Sequence, residues 1–507
     1  MKTRPCFQRF AFAIVVLLSM PFATKADEAP PNVIYILADD LGYAELGCYG
    51  QQKIKTPHID QLAQEGMRFM QHYCGNAVCA PSRCALMTGR HAGHAYIRSN
   101  RRFDLPAEIK DKYGMQFSGQ QPIPETEVTI AEMLKGKGYA TAAIGKWGLG
   151  HFGTSGDPTK QGFDLFLGYN CQGHAHSYYP AYLWRNDKKF ALANDPPVPG
   201  HASLPATAKV NDPTVYQPFK GQDYADDHMV QAALEFLEQN KDRPFFLYFP
   251  SIIPHLSLHI PDDELKPYLC KWQETPFAGN GYTPHQTPRA AYAAMISRLD
   301  LDVGRLMQRL HELGLDKNTL VLFSSDNGTT HLEKEVDFEF FESVGPLRGL
   351  KGSLYEGGIR VPMIARWTGK IQPSTTTNHL SAFWDVMPTI ADVVGIDPPL
   401  GGDGISFAPT LFGRTAQQQQ HEFLYWEFTG YGGQQALRMG NWKAVRQKLL
   451  QRNNPRPLKI ELYNLQDDIG ESRDVAADHP EIVAKMRKVM DQEHVPSKLF
   501  PLPPLDD

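Results

Sequence analysis

Apolar and polar positions alternate along this chain in blocks that change period. Asn32-Val33-Ile34-Tyr35-Ile36-Leu37-Ala38 is an almost unbroken apolar run, short and rich in β-branched residues, and it predicts a strand buried on both faces. It stops at Asp39-Asp40-Leu41-Gly42. Pro57 to Phe69 carries a helical pattern through Ile59, Leu62 and Met67. Thr129 predicts a cap on a short helix, Ile130 to Lys135, which Gly136 and Gly138 close. Tyr139 to Ile144 then reads as a strand, Asp223 to Gln239 as a helix and Pro244 to Phe249 as a buried strand. Ala290 to Leu313 predicts a long helix with an apolar stripe at Met295, Leu299, Val303, Leu306 and Leu310. Thr319 to Ser325 is a strand ending in Asp326-Asn327-Gly328.

Repeated strand–helix alternation predicts an α/β fold, a large α/β/α sandwich around a mostly parallel central sheet. After Gly413-Arg414, the polar stretch Gln417 to Gln420 reads as a linker, and the pattern changes. Glu422 to Phe428, Gln435 to Met439, Trp442 to Arg446 and Leu458 to Leu465 read as short strands, and Glu481 to Gln492 as a closing helix. They predict a smaller C-terminal α+β domain on an antiparallel sheet. The expected divisions are 1–26, 27–415 and 416–507, with no internal repeat.

The N-terminus has the layout of a signal peptide. Lys2, Arg4 and Arg9 precede the uncharged apolar run Phe10 to Leu18, and Thr24-Lys25-Ala26 offers a small-x-small cleavage site before Asp27. The run is shorter than the roughly 20 apolar residues of a membrane span. The expectation is an exported protein, periplasmic or secreted, with no stable span once residues 1–26 are removed; the competing reading is an uncleaved anchor. The net charge of −5, with no block of like charges, argues against a nucleic-acid partner. Export permits disulfides, but the seven cysteines are irregularly spaced and do not form a framework. One bridge involving Cys74 or Cys84 remains open.

Asp39-Asp40 and Asp326-Asn327 each follow a predicted strand, and α/β sheets bind ligands beyond the carboxyl ends of their strands. Either pair alone could be a helix cap or a turn. Together they suggest one divalent cation, because hard oxygen donors select calcium or magnesium over zinc or copper. Cys79 opens the run Cys79-Ala80-Pro81-Ser82-Arg83, followed by Leu86-Met87-Thr88-Gly89-Arg90. As an isolated cysteine it could be core filler, disulfide half, metal ligand or nucleophile.

This run resembles the signature of the type I sulfatases of the alkaline phosphatase-like superfamily. Further matching motifs occur in the same chain order: Asp39-Asp40, Gly145-Lys146-Trp147, Pro254-His255, Asp326-Asn327-Gly328, and Gly349-Leu350-Lys351-Gly352 leading to Glu356-Gly357-Gly358-Ile359-Arg360-Val361-Pro362. The resemblance covers nearly the whole mature chain and makes 27–415 the sulfatase catalytic domain. It implies a sulfuric ester hydrolase in which a maturation enzyme oxidises Cys79 to formylglycine. Asp39, Asp40, Asp326, Asn327 and the modified residue 79 would bind the cation, most often calcium, with magnesium as the alternative. One hydroxyl of the formylglycine hydrate would attack sulfur, the alcohol would leave, and the second hydroxyl would then expel sulfate. Arg83, Lys146, Lys351 and His255 match positions that contact the sulfate or the ester oxygen, with Arg83 also holding the hydrate and His255 as candidate acid.

One motif departs from the family. Many sulfatases have histidine where this chain has Gly148, in Gly145-Lys146-Trp147-Gly148-Leu149-Gly150. That histidine steadies the hydrate. His151 is near in sequence but points elsewhere after three residues. His174 or His176, in Cys171-Gln172-Gly173-His174-Ala175-His176, is expected to take over the role or to bind substrate; ordinary loop histidines and a second metal are the alternatives. An exported sulfatase implies a sulfated sugar or polysaccharide as substrate. Tyr178, Tyr179, Trp184, Trp426 and Tyr431 are candidates to stack on sugar rings, and Arg98, Arg101 and Arg102 to bind a carboxylate or second sulfate. A pocket closed by the small domain would favour removal from chain ends. The other readings are a phosphonate or phosphate monoester hydrolase of the same superfamily and a carbohydrate-binding protein with a degenerate site.

Overall fold

The computed structural model describes residues 1–3, 29–114, 119–330, 335–452 and 456–506. Apart from residues 1–3, the signal-peptide reading therefore lies outside the described residues. Among the described residues, no helix is long and apolar enough to cross a membrane.

The main sheet is built from β1 (Asn32–Ala38), β2 (Met67–Tyr73), β3 (Ala140–Lys146), β4 (Leu165–Tyr169), β5 (Tyr182–Arg185), β6 (Lys188–Ala191), β7 (Phe245–Pro250), β8 (Thr319–Ser325), β9 (Arg360–Arg366) and β10 (Thr375–Thr377). Their spatial order is β10-β2-β9-β8-β1-β7-β3-β4-β5-β6. The five central strands, β8, β1, β7, β3 and β4, run parallel. On their flanks β9 and β5 pair antiparallel. The continuous apolar run of β1 has a direct cause: Val33, Tyr35 and Leu37 enter the core on one face, and Ile34, Ile36 and Ala38 the core on the other.

Helices cover both faces. On one lie α1 (Pro57–Gln64), α4 (Ala225–Gln239) and α5 (Pro288–Glu312), whose stripe Met295, Leu299, Val303, Leu306 and Leu310 is fully buried. On the other lie α2 (Cys79–Thr88), α3 (Ile130–Lys135) and α6 (Val386–Val394). Thr129 caps α3 in a full capping box with Glu132. The helical reading of Pro57 to Phe69 holds only to Gln64. Met67 and Phe69 belong to β2, which pairs with β9 and β10. Sheet pairing from residues some 300 positions away overrides the local period there.

The C-terminal strands β11 (Leu424–Phe428), β12 (Gln434–Met439), β13 (Trp442–Arg446) and β14 (Glu461–Asn464) form an antiparallel sheet in that order. Trp426, Phe428, Ala436 and Val445 on one face join the core of the main sandwich. Tyr425, Leu437, Ala444 and Leu462 on the other pack on Met486 and Met490 of α7 (Pro480–Gln492). The small sheet thus shares a core with the sandwich. Cys48, Cys74, Cys79, Cys84, Cys171 and Cys270 all carry free thiols, so the bridge left open for Cys74 or Cys84 is not formed.

Candidate active site

The parallel strands deliver the chemistry to one edge. Asp39 and Asp40 follow β1, Asp326 and Asn327 follow β8, Lys146 is the last residue of β3, and His255 comes shortly after β7. Into this edge points α2, with Cys79 at its first position and every residue of the helix buried. Pro81 is tolerated in the first turn, where no helical hydrogen bond is lost, and Gly89 ends the helix at φ +67°.

Asp39, Asp40, Asp326 and Asn327 are all buried. Asn327 donates from Nδ2 to Asp40 Oδ1 at 2.7 Å, and the Asp40 amide donates to Asp326 Oδ1 at 3.1 Å. These bonds hold Asp40 at φ +66°, a conformation costly for a residue with a side chain. Burial, then the neighbouring Asp39, pushes the Asp326 carboxyl up to about 6, even with Arg83 beside it. Asn327 Oδ1 is buried without a hydrogen-bond partner. Three crowded carboxylates and an unpartnered amide oxygen are an oxygen donor set of the kind that a hard divalent cation completes. Asp39, Asp40, Cys79 and His255 converge within ligand distance of one another.

Cationic groups surround the same point. Lys146 Nζ lies 2.6 Å from Asp39 Oδ2 and 3.4 Å from Cys79 Sγ. Lys351 Nζ lies 2.7 Å from Asp40 Oδ2 and 3.7 Å from Cys79 Sγ. Burial opposes the Lys351 ammonium, but Asp40 outweighs it and keeps the group charged. The Cys79 thiol donates to Asp39 Oδ1 at 3.4 Å; burial and that carboxylate push its pKa up, so it stays a thiol. His255 Nδ1 lies 2.6 Å from the Leu256 carbonyl, which turns Nε2 toward Asp40, 3.7 Å away. Burial, Lys351 and Lys146 hold His255 well below its usual value, so in this state it is neutral.

Arg83 is placed differently from the expectation that it reaches the sulfate. It is fully buried, bonding Asp326 Oδ2 at 2.9 Å, Asp39 Oδ2 at 3.2 Å and the Lys146 carbonyl. It does not line the cavity above Cys79 and serves instead to position two carboxylates. Glu45 was not foreseen. Burial pushes its carboxyl up to about 7, and it bonds the Gly42 amide at 2.6 Å, Tyr292 and Thr329, fixing the loop that carries Asp39 and Asp40.

Above Cys79 is a cavity of about 460 Å³, lined among others by Lys351, His255, His176, Gln172 and Tyr431. His176 stacks on His255 with ring centroids 5.1 Å apart. His174 instead packs between Tyr169 and Tyr182, and His151 against Tyr113 and Trp184, so neither lines this cavity. Of the five aromatics proposed for sugar stacking, Tyr178, Tyr179, Trp184 and Trp426 are buried core residues. Tyr431, 60% exposed, lines the cavity. The arginine cluster also divides: Arg98 is buried against Glu427, Arg101 bonds the Leu499 carbonyl, and Arg102 lines the cavity. Gln172, in the same loop as the two histidines, lines the cavity as well. Both its amide atoms are buried without a partner, an arrangement that costs about 1–3 kcal/mol.

Lysines gathered over crowded carboxylates that could hold a metal ion, at one edge of a parallel sheet, are an arrangement suited to hydrolysing anionic esters. The sulfatase family model matches residues 31–396, and the C-terminal model of N-sulphoglucosamine sulphohydrolase matches residues 350–495. The chain belongs to the sulfatase family and is a sulfuric ester hydrolase. It is similar to mouse (Mus musculus) steryl-sulfatase, 31% identical over 85% of this chain and 73% of that protein. To human (Homo sapiens) arylsulfatase A it is 34% identical over 82% of this chain and 74% of the other. Among solved structures, Ps i-CgsB in complex with k-i-k-neocarrahexaose superposes with a TM-score of 0.70 at 26% identity, covering 92% of this chain and 94% of that one.

Proposed function

We propose that this enzyme removes sulfate from a sulfated carbohydrate outside the cytoplasm, with Cys79 matured to formylglycine by a dedicated enzyme and one calcium ion held by Asp39, Asp40, Asp326 and Asn327. The observation that carries the reading is the convergence of Cys79, Lys146, Lys351 and His255 on the crowded carboxylates at the foot of one cavity. Magnesium is the second candidate on donor chemistry alone. The cation, when bound, supplies positive charge that lowers the pKa of a hydroxyl and shields an anionic ester from an oxygen nucleophile. A hydrated aldehyde at position 79 supplies that oxygen; the cysteine thiol, held protonated by burial, does not.

Each side chain then has a task. Lys351, at the cavity wall, binds the sulfate oxygens, and Lys146 adds positive charge from beneath, 3.4 Å from Cys79 Sγ; together they stabilise the charge that develops on the sulfate. Arg83 fixes Asp39 and Asp326 from below. His255, with Nε2 turned into the site, is the candidate acid for the leaving alcohol; burial and then Lys351 and Lys146 hold its proton affinity down, and the negative charge of bound sulfate opposes the lysines' part of that effect. His176 stacks behind it and orients its ring. Water is limited by a cavity whose floor is entirely buried.

The carbohydrate assignment rests on the hexasaccharide bound by the similar Ps i-CgsB, on the exposed ring of Tyr431 and on the export-like N-terminus. Family membership favours sulfate over phosphonate esters. We assign 1–26 to the signal peptide, 27–415 to the catalytic domain and 416–507 to the C-terminal subdomain. The test is peptide mass spectrometry across residue 79 of active enzyme from its native host, together with turnover of an aryl sulfate and a panel of sulfated disaccharides. The expected result is formylglycine at position 79 and sulfate release from at least one sugar. Unmodified cysteine in active enzyme would overturn the formylglycine reading, and faster turnover of an aryl phosphonate would overturn the sulfate reading.

A further inference from the structure

Gly148 and Gln172 occupy one space. Gly148 sits at φ +82°, and a Cβ built on it would lie 2.4 Å from Gln172 Nε2, closer than any two such atoms pack. No residue with a side chain fits at 148 while the Gln172 amide stays where it is. The amide in turn is held away from every protein partner: Nε2 and Oε1 are both buried and unbonded, although the residue is only 9% exposed. It lines the same cavity as Cys79, Lys351 and His255. Buried polar groups are nearly always bonded, and one left open at the wall of a reactive cavity is reserved for a ligand.

We propose that the Gln172 carboxamide is the hydrogen-bond partner of the hydroxyls at residue 79, a positioning group that enters through the gap left by Gly148 and stands in for the missing imidazole. The proposal rests on the formylglycine reading above. An amide offers two donors and one acceptor, which suits a pair of hydroxyls on one carbon. It cannot take or give a proton near neutral pH, so its contribution is geometric and does not titrate, unlike that of an imidazole. His176 remains on the other side of the cavity, stacked on His255.

The test compares matured wild-type protein with Gln172→Met, which keeps length and volume but removes both bonding atoms. Three quantities are read: turnover of 4-nitrophenyl sulfate, the thermal midpoint, and the rate at which phenylhydrazine labels residue 79, followed by peptide mass. A lost partner should lower kcat on the order of a hundredfold, as removal of one preorganised amide donor does elsewhere, with KM changed by less than about threefold. The midpoint should be unchanged or higher, since the amide makes no structural bond. Labelling should be at least about threefold faster, because the hydrate yields more readily to free aldehyde. A kcat within about threefold of wild type, an unchanged labelling rate, or a loss of activity that only tracks a falling midpoint would each overturn the proposal. A second pair of variants tests the shared space. Gly148→His alone should cost at least about a hundredfold, and Gly148→His with Gln172→Ala should recover at least about tenfold of it; additive losses would overturn the pairing. Wild-type protein that carries formylglycine yet turns over no sulfate ester would sink the sulfatase mechanism, while the labelling comparison still decides the role of Gln172.

Discussion

Asp326 and Glu356 are both fully buried carboxylates beside arginine, and the protein treats their protons in opposite ways. Burial would raise Glu356, but Lys443, Arg438 and Arg360 outweigh it and bring the carboxyl down to about 2. Lys443 bonds Oε1 at 2.8 Å, and Tyr73 and Arg360 bond Oε2 at 2.6 and 3.3 Å. Asp326 has Arg83, but it also has Asp39 and Asp40, and its carboxyl rises to about 6. Lys443 and Arg438 belong to the small sheet and Glu356 to the sandwich, so the first cluster ties the two together. The second leaves Asn327 Oδ1 unpartnered and lies beneath a cavity. Depth of burial is the same in both. What differs is how the cations are shared: Arg83 divides itself between Asp326 and Asp39, whereas Lys443, Arg438 and Arg360 all face Glu356.

Asp326→Asn should break this contrast most strongly. It keeps the shape, removes a donor charge, and is expected to lower turnover by at least about a thousandfold while the fold survives; an enzyme within tenfold of wild type would refute the cation assignment. Chelation should follow, with a loss of at least about a hundredfold that added calcium or magnesium reverses, and a lower thermal midpoint for the metal-stripped wild type. The Asp326→Asn protein should show little response of its midpoint to chelator.

Glu356→Gln should do the reverse. Taking the shared acid from Arg438 and Arg360, and leaving Lys443 only Glu471 at 3.2 Å, is expected to cost about 3–5 kcal/mol in denaturant unfolding, with turnover per folded molecule within about fivefold of wild type. The smallest effect is on acid stability. Because the folded carboxyl of Glu356 lies below its ordinary value of 4.5, its contribution is complete above about pH 4.5 and is lost as pH falls toward about 2. The wild type should lose stability over that window more steeply than Glu356→Gln. Equal slopes for the two proteins in parallel acid titrations would dispose of the ion-network account.

Much of this arrangement could be read before the fold was known, because its carriers are local. A strand that ends in two acids announces itself by composition, and α2 opens on a contiguous pentapeptide. What could not be read was direction. Trp184 and Trp426 looked like sugar platforms and are core, since an indole serves either purpose and only its neighbours decide. Arg98 looked free to bind a substrate anion and is buried against Glu427, a partner 329 positions away. His174 and His176 are two residues apart and diverge, one to Tyr169 and Tyr182, the other to His255. The helical period through Met67 yielded to the strand pairing that β9 offers.

The class of sheet, the strand-end acids and the order of the motifs are local properties, because each depends on residues close along the chain and on a hydrophobic period of two or 3.6. Which of those residues meet was settled by the packing of distant segments. It set Arg83 beneath the carboxylates rather than over the sulfate, and it aimed an unbonded Gln172 into the space that Gly148 leaves free. Such outcomes depend on distances between segments up to hundreds of positions apart, and on which polar atoms find partners once the core has closed.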